Sequence, residues 1–130
     1  MLKLPRRTAA RKAHLDAFPG AVAEPYAPAR AAAPLILMYK IMGKLFAILS
    51  VRGEEYVIVK CDPHLADMLR ERHAGVGHRS HLDKRFWISV SLDADVPAAE
   101  VKRLANGSYD LICATLTRKQ KADLAVLTAG

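Results

Sequence analysis

Residues 86–92 carry the cleanest alternation in the chain: Phe86, Ile88, Val90 and Leu92 fall on one face at period two, and Trp87, Ser89 and Ser91 on the other. This predicts a strand. Upstream, residues 35–61 read as a three-strand antiparallel meander. Its runs are Leu35 to Ile41, Lys44 to Val51 and Glu55 to Cys61, with turns at Met42-Gly43 and Arg52-Gly53. A first helix is expected from Arg7 to Phe18, stopped by Pro19-Gly20, with Leu15 and Phe18 toward the core and Arg7, Arg11 and Lys12 toward solvent. Residues 21–34 hold three prolines and many alanines without periodicity, which predicts a long loop.

The second half adds helices and one short strand. Asp62 offers a cap and Pro63 a first helical position; Leu65, Met68 and Leu69 form the apolar stripe, and Gly75 ends the helix. A short strand is expected over Val76 to Arg79. Asp95-Val96-Pro97 opens a helix with Val101 and Leu104 inside, broken at Asn106-Gly107, after which Ser108 caps a turn carrying Leu111, Ile112 and Leu116. Thr117 to Gln120 matches a capping box and begins a last helix. The order α-β-β-β-α-β-β-α-α predicts an α+β fold of two layers, an antiparallel sheet with helices packed on one face.

At 130 residues, 52% apolar and 25% charged, the chain fits one globular domain over residues 1–130, with 1–6 expected as a flexible basic N-terminus. No apolar run reaches the roughly 20 residues of a membrane span, and Arg6-Arg7 has no signal-type apolar region behind it. Cys61 and Cys113 lack metal spacing and read as free thiols of a reducing cytoplasm. A monomer is expected. The net charge of +7 is uneven: residues 1–52 hold nine Lys/Arg against Asp16 and Glu24, whereas residues 53–130 hold eleven of each sign. Such asymmetry suits an anionic partner, nucleic acid first and anionic lipid second; it equally suits a basic N-terminus that is simply solvated.

The chemistry-bearing residues are few. His73, His78, His81 and Asp83 are spaced across a glycine-rich loop, unlike the paired ligands of a zinc site, so neither a metal nor a cofactor is expected. Ser80 beside His78 and His81 has no orienting third group, and no phosphate-cradling glycine loop or nucleophile elbow occurs; no enzyme is expected. What remains is a basic set: Lys40, Lys44, Arg52 and Lys60 around the first meander, and Arg79, Lys84 and Arg85 before the strong strand. Trp87 follows Lys84-Arg85 on the polar face, where it either stacks on a base or is ordinary core beneath a covering element.

The run His81-Leu82-Asp83-Lys84-Arg85-Phe86-Trp87 resembles the His-Leu-Asn-Lys-x-His-Trp signature of the MmcQ/YjbR family of small bacterial proteins. Pro19-Gly20, the stretch Lys40 to Ala47, Lys60-Cys61-Asp62-Pro63, Ser108-Tyr109 and Leu116 agree in order, so the resemblance covers roughly residues 13–127. It implies a frataxin-like α+β fold with a proposed double-wing DNA-binding surface and no enzymatic activity. Frataxin-type iron binding, which uses an acidic first helix, does not fit the basic first helix here. Three positions depart from the pattern: Asp83 replaces Asn, Phe86 replaces His, and Ile88 stands where Asn is frequent.

Together these readings give a non-enzymatic DNA-binding protein, weak and largely non-specific because phosphate contacts carry little sequence information. Lys44, Arg79, His81, Lys84, Arg85 and Trp87 are the expected nucleic-acid-binding residues. The alternative is a protein- or peptide-binding module that uses the sheet face or edge, as secretion-chaperone-like folds do. Phe86 and Ile88 suit that use better than nucleic acid.

Overall fold

The glycine turns behave as their chemistry requires. Met42 and Gly43 both take positive φ (49° and 80°), the geometry that folds two adjacent strands back with the right twist. Around that turn the computed structural model, which describes residues 4–29 and 33–129, builds six strands and four helices. In chain order they are α1 (Arg6–Asp16), β1 (Ala21–Tyr26), β2 (Ile36–Ile41), β3 (Lys44–Ser50) and β4 (Tyr56–Lys60). Then come α2 (Pro63–Arg72), β5 (Val76–Gly77), β6 (Trp87–Ser91), α3 (Ala98–Cys113) and α4 (Arg118–Ala129). The sheet order is β1-β2-β3-β4-β6-β5, and every neighbouring pair is antiparallel. The fold is α+β.

Alternation decides which face meets the helices. Leu37, Tyr39 and Ile41, then Ala47 and Leu49, Val57 and Val59, Ile88 and Val90 share one buried cluster with Leu15 of α1 and Val101, Leu104, Ala105 and Ile112 of α3. A bulge between Tyr39 and Lys40 lets Phe46 join Ala47 on that side. Phe46 then meets Phe18 and Tyr109 edge-on at 5.5 and 5.3 Å, while those two rings stack at 4.5 Å.

Several expectations need correction. Residues 21–26 are a strand, not part of a loop: Ala21 and Ala23 pack inward while Val22 and Glu24 are exposed, an alternation that alanine makes faint. Pro25 is tolerated because β1 is an edge strand. Residues 30–32 of the expected loop lie outside the described residues. The segment 1–6 is not free at its far end, since Leu4 packs on the core and Arg6 opens α1; residues 1–3 lie outside the description. Met68 is exposed, and Ala66 takes its place on the buried side of α2. That helix ends at Arg72, before Gly75. Arg11, expected in solvent, is buried.

Asn106-Gly107 does not break α3, which runs unbroken from Ala98 to Cys113. Ser108 explains why. Rather than capping a new helix, its hydroxyl donates to Phe46 O at 2.5 Å and accepts from Lys60 N at 2.9 Å, pinning α3 to two strands. Ser108→Ala should therefore cost about 1–3 kcal/mol in urea denaturation, because a backbone donor and acceptor lose their partner. A loss below about 0.5 kcal/mol would mean that the pin contributes little. By contrast, the caps at Asp62 and Thr117 form as expected: Asp62 accepts from His64 and Leu65 N–H, and Thr117 and Gln120 exchange two bonds at 2.9 and 3.0 Å.

Candidate nucleic-acid interface

The sheet face turned away from α1 and α3 is apolar too. Ile48, Ile58 and Trp87 are buried there, with Ile36, Met38, Leu45 and Tyr56 half-buried around them. No described helix covers this side. Instead the loop 78–86 lies across it, and Leu82 and Phe86 pack down on the cluster. Between the loop and the β1–β2 side a groove of about 400 Å³ remains, bounded by Tyr26, Met38, Ile48 and Tyr56 and closed by Arg79, His81 and Leu82.

Local bonds fix the loop. His78 Nε2 meets Leu82 O at 2.7 Å, and Ser80 Oγ accepts from Leu82 N at 3.2 Å. Asp83 Oδ1 accepts from Arg85 N at 2.9 Å, while Asp83 O receives both Phe86 N and Trp87 N. From α2, the Arg70 guanidinium donates to Lys84 O and Trp87 O, tying the loop's exit to the helix layer. The Asp83 turn displaces Phe86 from the alternation. Its ring joins the Trp87 side of the sheet, so that only Ile88, Val90 and Leu92 point to the main core.

The expected site residues separate on this scaffold. Trp87 is only 9% exposed, which removes the base-stacking role: its ring faces Ile48 and Ile58 under Phe86 and Leu82. Lys44 is drawn to the helix layer, where its ammonium donates to Thr115 O at 2.7 Å beyond the end of α3. Arg79 pairs with Glu54 and lies 4.7 Å over the Tyr56 ring, at one mouth of the groove with exposed His81. Arg85 pairs with Asp83 at 2.9 Å. Chiefly through that hydrogen bond, Arg85 holds the Asp83 carboxyl below the usual carboxylate range, so the pair stays charged at neutral pH. Lys84 is exposed and has no ion partner among the described residues. Of the other basic positions, Lys40 pairs with Glu24 at 2.7 Å and Arg52 donates to Ala33 O at 3.0 Å.

A different aromatic lies beside the cations. The Phe86 ring is half-buried and flanked by two cations, Arg85 at 5.3 Å and Lys60 at 6.0 Å from its centroid. From sequence Phe86 is weighed only for a protein-binding use, and Tyr56 is not singled out. The signal was present: a polar Asp83 two residues before Arg85 predicts the local turn that shifts Phe86 out of the strand. His73, His78 and His81 do not gather; His73 meets Asp95 at 3.3 Å, and no three His, Cys, Asp or Glu side chains cluster as metal ligands among the described residues. No described helix is long and apolar enough to cross a membrane.

Comparison with known proteins settles the family. The YjbR family model matches residues 16–111, most of the chain and every element from the end of α1 into α3. The chain belongs to the YjbR family. An uncharacterized protein YjbR of Escherichia coli K12 is 35% identical over 71 residues, 54% of this chain and 60% of that protein. A second Escherichia coli protein, the uncharacterized YbdF of strain O157:H7, is 27% identical over 85 residues, 65% of this chain and 70% of its own length. The alignment thus spans about 60% of the YjbR relative. A crystal structure of a Deinococcus radiodurans protein with a DUF419 domain has the same fold, with TM-score 0.76 at 24% identity over 90% of this chain and 86% of that one. A Pseudomonas syringae structure gives TM-score 0.61 at 21% identity, covering 83% and 98%.

Within the YjbR frame the departures acquire distinct meanings. Ile88 is fully buried between sheet and helices, so its apolar character belongs to the core and not to any surface. Asp83 supplies the turn bond that Asn would also accept, and adds an ion pair with Arg85 that Asn would lack. Only Phe86 alters the open face itself.

Proposed function

We propose that this YjbR-family chain is a non-enzymatic nucleic-acid-binding protein that works through the open face of its sheet. The observation that carries the reading is the Phe86 ring between Lys60 and Arg85, beside the exposed Lys84. A ring accompanied by cations is the combination that stacks on a base while holding neighbouring phosphates, and it tolerates any sequence because every base has a π face. Lys44 takes no part, since it is bonded to Thr115. The Arg85–Asp83 pair is a weak competitor: with Arg85 74% exposed, exchange of its carboxylate for a phosphate costs little.

Three phosphate contacts give log affinity for duplex DNA a slope against log salt of about −2.7, from roughly −0.9 per contact. Replacing Lys84 and Arg85 together by alanine should remove about two contacts and flatten the slope to about −0.9. Phe86→Ala should weaken single-strand binding by about 1–3 kcal/mol. Fluorescence anisotropy at several salt concentrations measures both. A slope near zero, unchanged in the double variant, would sink the proposal.

A second reading rests on the groove between Tyr26, Met38, Ile48 and Tyr56, whose walls are apolar with cations only at the mouth. Such a cleft suits an apolar peptide side chain better than a phosphate. Peptide binding there would be nearly insensitive to salt and lost on Met38→Glu, and nucleic-acid binding the reverse.

A further inference from the structure

The buried arginine of α1 has no counterion among the described residues. Arg11 sits between Thr8 and Leu15 on the helix face that packs inward; it is 7% exposed and its Nη1 is buried with no acceptor. Burial pushes its pKa down from the ordinary arginine value, and no neighbouring acid opposes that shift. A guanidinium does not give up its proton in such surroundings, so its charge stands uncompensated, an expensive arrangement unless something else supplies the negative partner.

The space in front of it has the right chemistry. Arg11 lines a cavity of about 370 Å³ together with Arg6, Arg7 and the first turn of α3, where Leu92, Val96 and Val101 form the apolar wall. The N-cap of α3 is Pro97, which offers no side-chain acceptor; its carbonyl receives Glu100 N and Val101 N, leaving the amides of Ala98 and Ala99 at the positive end of the helix. Of the acids nearby, Glu55 is bound by the cavity-lining Arg7 at 3.0 Å and Glu100 is turned to Arg103 at 2.6 Å, while Asp93 acts on Arg7 only through space; none pairs with Arg11.

We infer that this α1–α3 cavity is a binding site for a small phosphate-type oxyanion, inorganic phosphate or the phosphate group of a small monoester, held by the Arg11 guanidinium and the first amides of α3. Guanidinium contact and helix N-terminal amides are both ways a protein holds that group, and Arg11 and Ala98 line the same cavity. The apolar wall leaves room for a modest organic substituent. The site uses the helix layer, whereas the nucleic-acid proposal uses the opposite sheet face, so the two stand or fall separately.

The test is a titration of the full chain with inorganic phosphate, balanced by chloride at constant ionic strength. Expected are saturable shifts of the Ala98 and Ala99 amides and of the Arg11 side chain in NMR spectra, and a saturable rise in Tm. At phosphate about 100-fold above Kd, linkage raises the folding equilibrium constant about 100-fold. In Arg11→Met, which keeps the apolar stem, the phosphate-dependent rise should vanish, while stability without phosphate should equal or exceed that of the parent because no unpaired charge is buried. Shifts that do not saturate, or a Tm rise identical in Arg11→Met, overturn the site. If that variant fails to fold, the wild-type NMR titration alone decides. Duplex DNA separates the sources: affinity unchanged in Arg11→Met supports the small ligand, whereas lost affinity together with displacement of DNA by phosphate would make the oxyanion a DNA phosphate and overturn it.

Discussion

Trp87→Ala is expected to destabilise the protein by about 3–5 kcal/mol, the range for deleting a large aromatic from a packed site. The indole is buried with Ile48 and Ile58 and roofed by Leu82 and Phe86, so truncation leaves a void bounded by strands that cannot close in. Because Arg70 holds the Trp87 and Lys84 carbonyls, the backbone stays fixed around that void instead of collapsing. Urea denaturation followed by circular dichroism measures the loss. The chain's one tryptophan gives a second readout: its emission should be blue-shifted in the native protein and move to the red only on unfolding. Phe86→Ala, one residue away and half-buried, should be far milder in stability while affecting nucleic-acid binding most. If Trp87→Ala costs under about 1 kcal/mol and instead abolishes binding, the open face has been misread.

Gly20→Ala should cost about 2–4 kcal/mol. Gly20 has φ +74°, which an L side chain adopts at a cost of about 1–2 kcal/mol. The added Cβ would also stand 2.6 Å from Leu124 Cδ1 and 2.8 Å from Ile41 Cδ1. The half-buried Leu124 on α4 can retreat, but Ile41 is fully enclosed, so overpacking adds roughly 1–3 kcal/mol. The same denaturation experiment applies, and a change below about 1 kcal/mol would mean that the α1–β1 turn adapts more freely than its contacts allow. The neighbouring Pro19 carbonyl accepts the Tyr109 hydroxyl at 2.6 Å, so the Pro19-Gly20 and Ser108-Tyr109 pairs of the sequence are two ends of one contact between the α1 exit and α3.

Features governed by local chemistry were legible in the sequence. The glycine turns, the Asp62-Pro63 helix start, the Thr117–Gln120 capping box and the three-strand meander depend on neighbours within a few residues. What escaped depends on contacts across the chain. Asn106-Gly107 looks like a break on propensity alone, yet Ser108 binding to β3 and β4 holds the helix through it. From sequence Trp87 stands between a stacking surface and the core because its strand neighbours Ser89 and Ser91 are polar; its surroundings are Ile48 and Ile58 of other strands, which turn a second apolar face outward. The fate of Lys44 and Arg11 was hidden for the same reason, one bonded to a carbonyl 71 residues away and the other enclosed by packing. The family signature falls on the loop that lies across the open face, where Phe86 is half-buried and Trp87 is enclosed.

The strand at the sheet's margin bears on how readily further strands can add to the sheet. An open sheet edge is a template on which further strands add, and addition can continue into fibres. Tyr26 O receives Leu35 N, so alternation turns the backbone of the adjacent Pro25 outward, where a residue without an N–H leaves a gap in the row of donors. Exposed Glu24, paired with Lys40, places an ion pair beside that gap, and the opposite margin, β5, is only two residues long. Both margins are therefore poor templates for edge-to-edge addition of further strands.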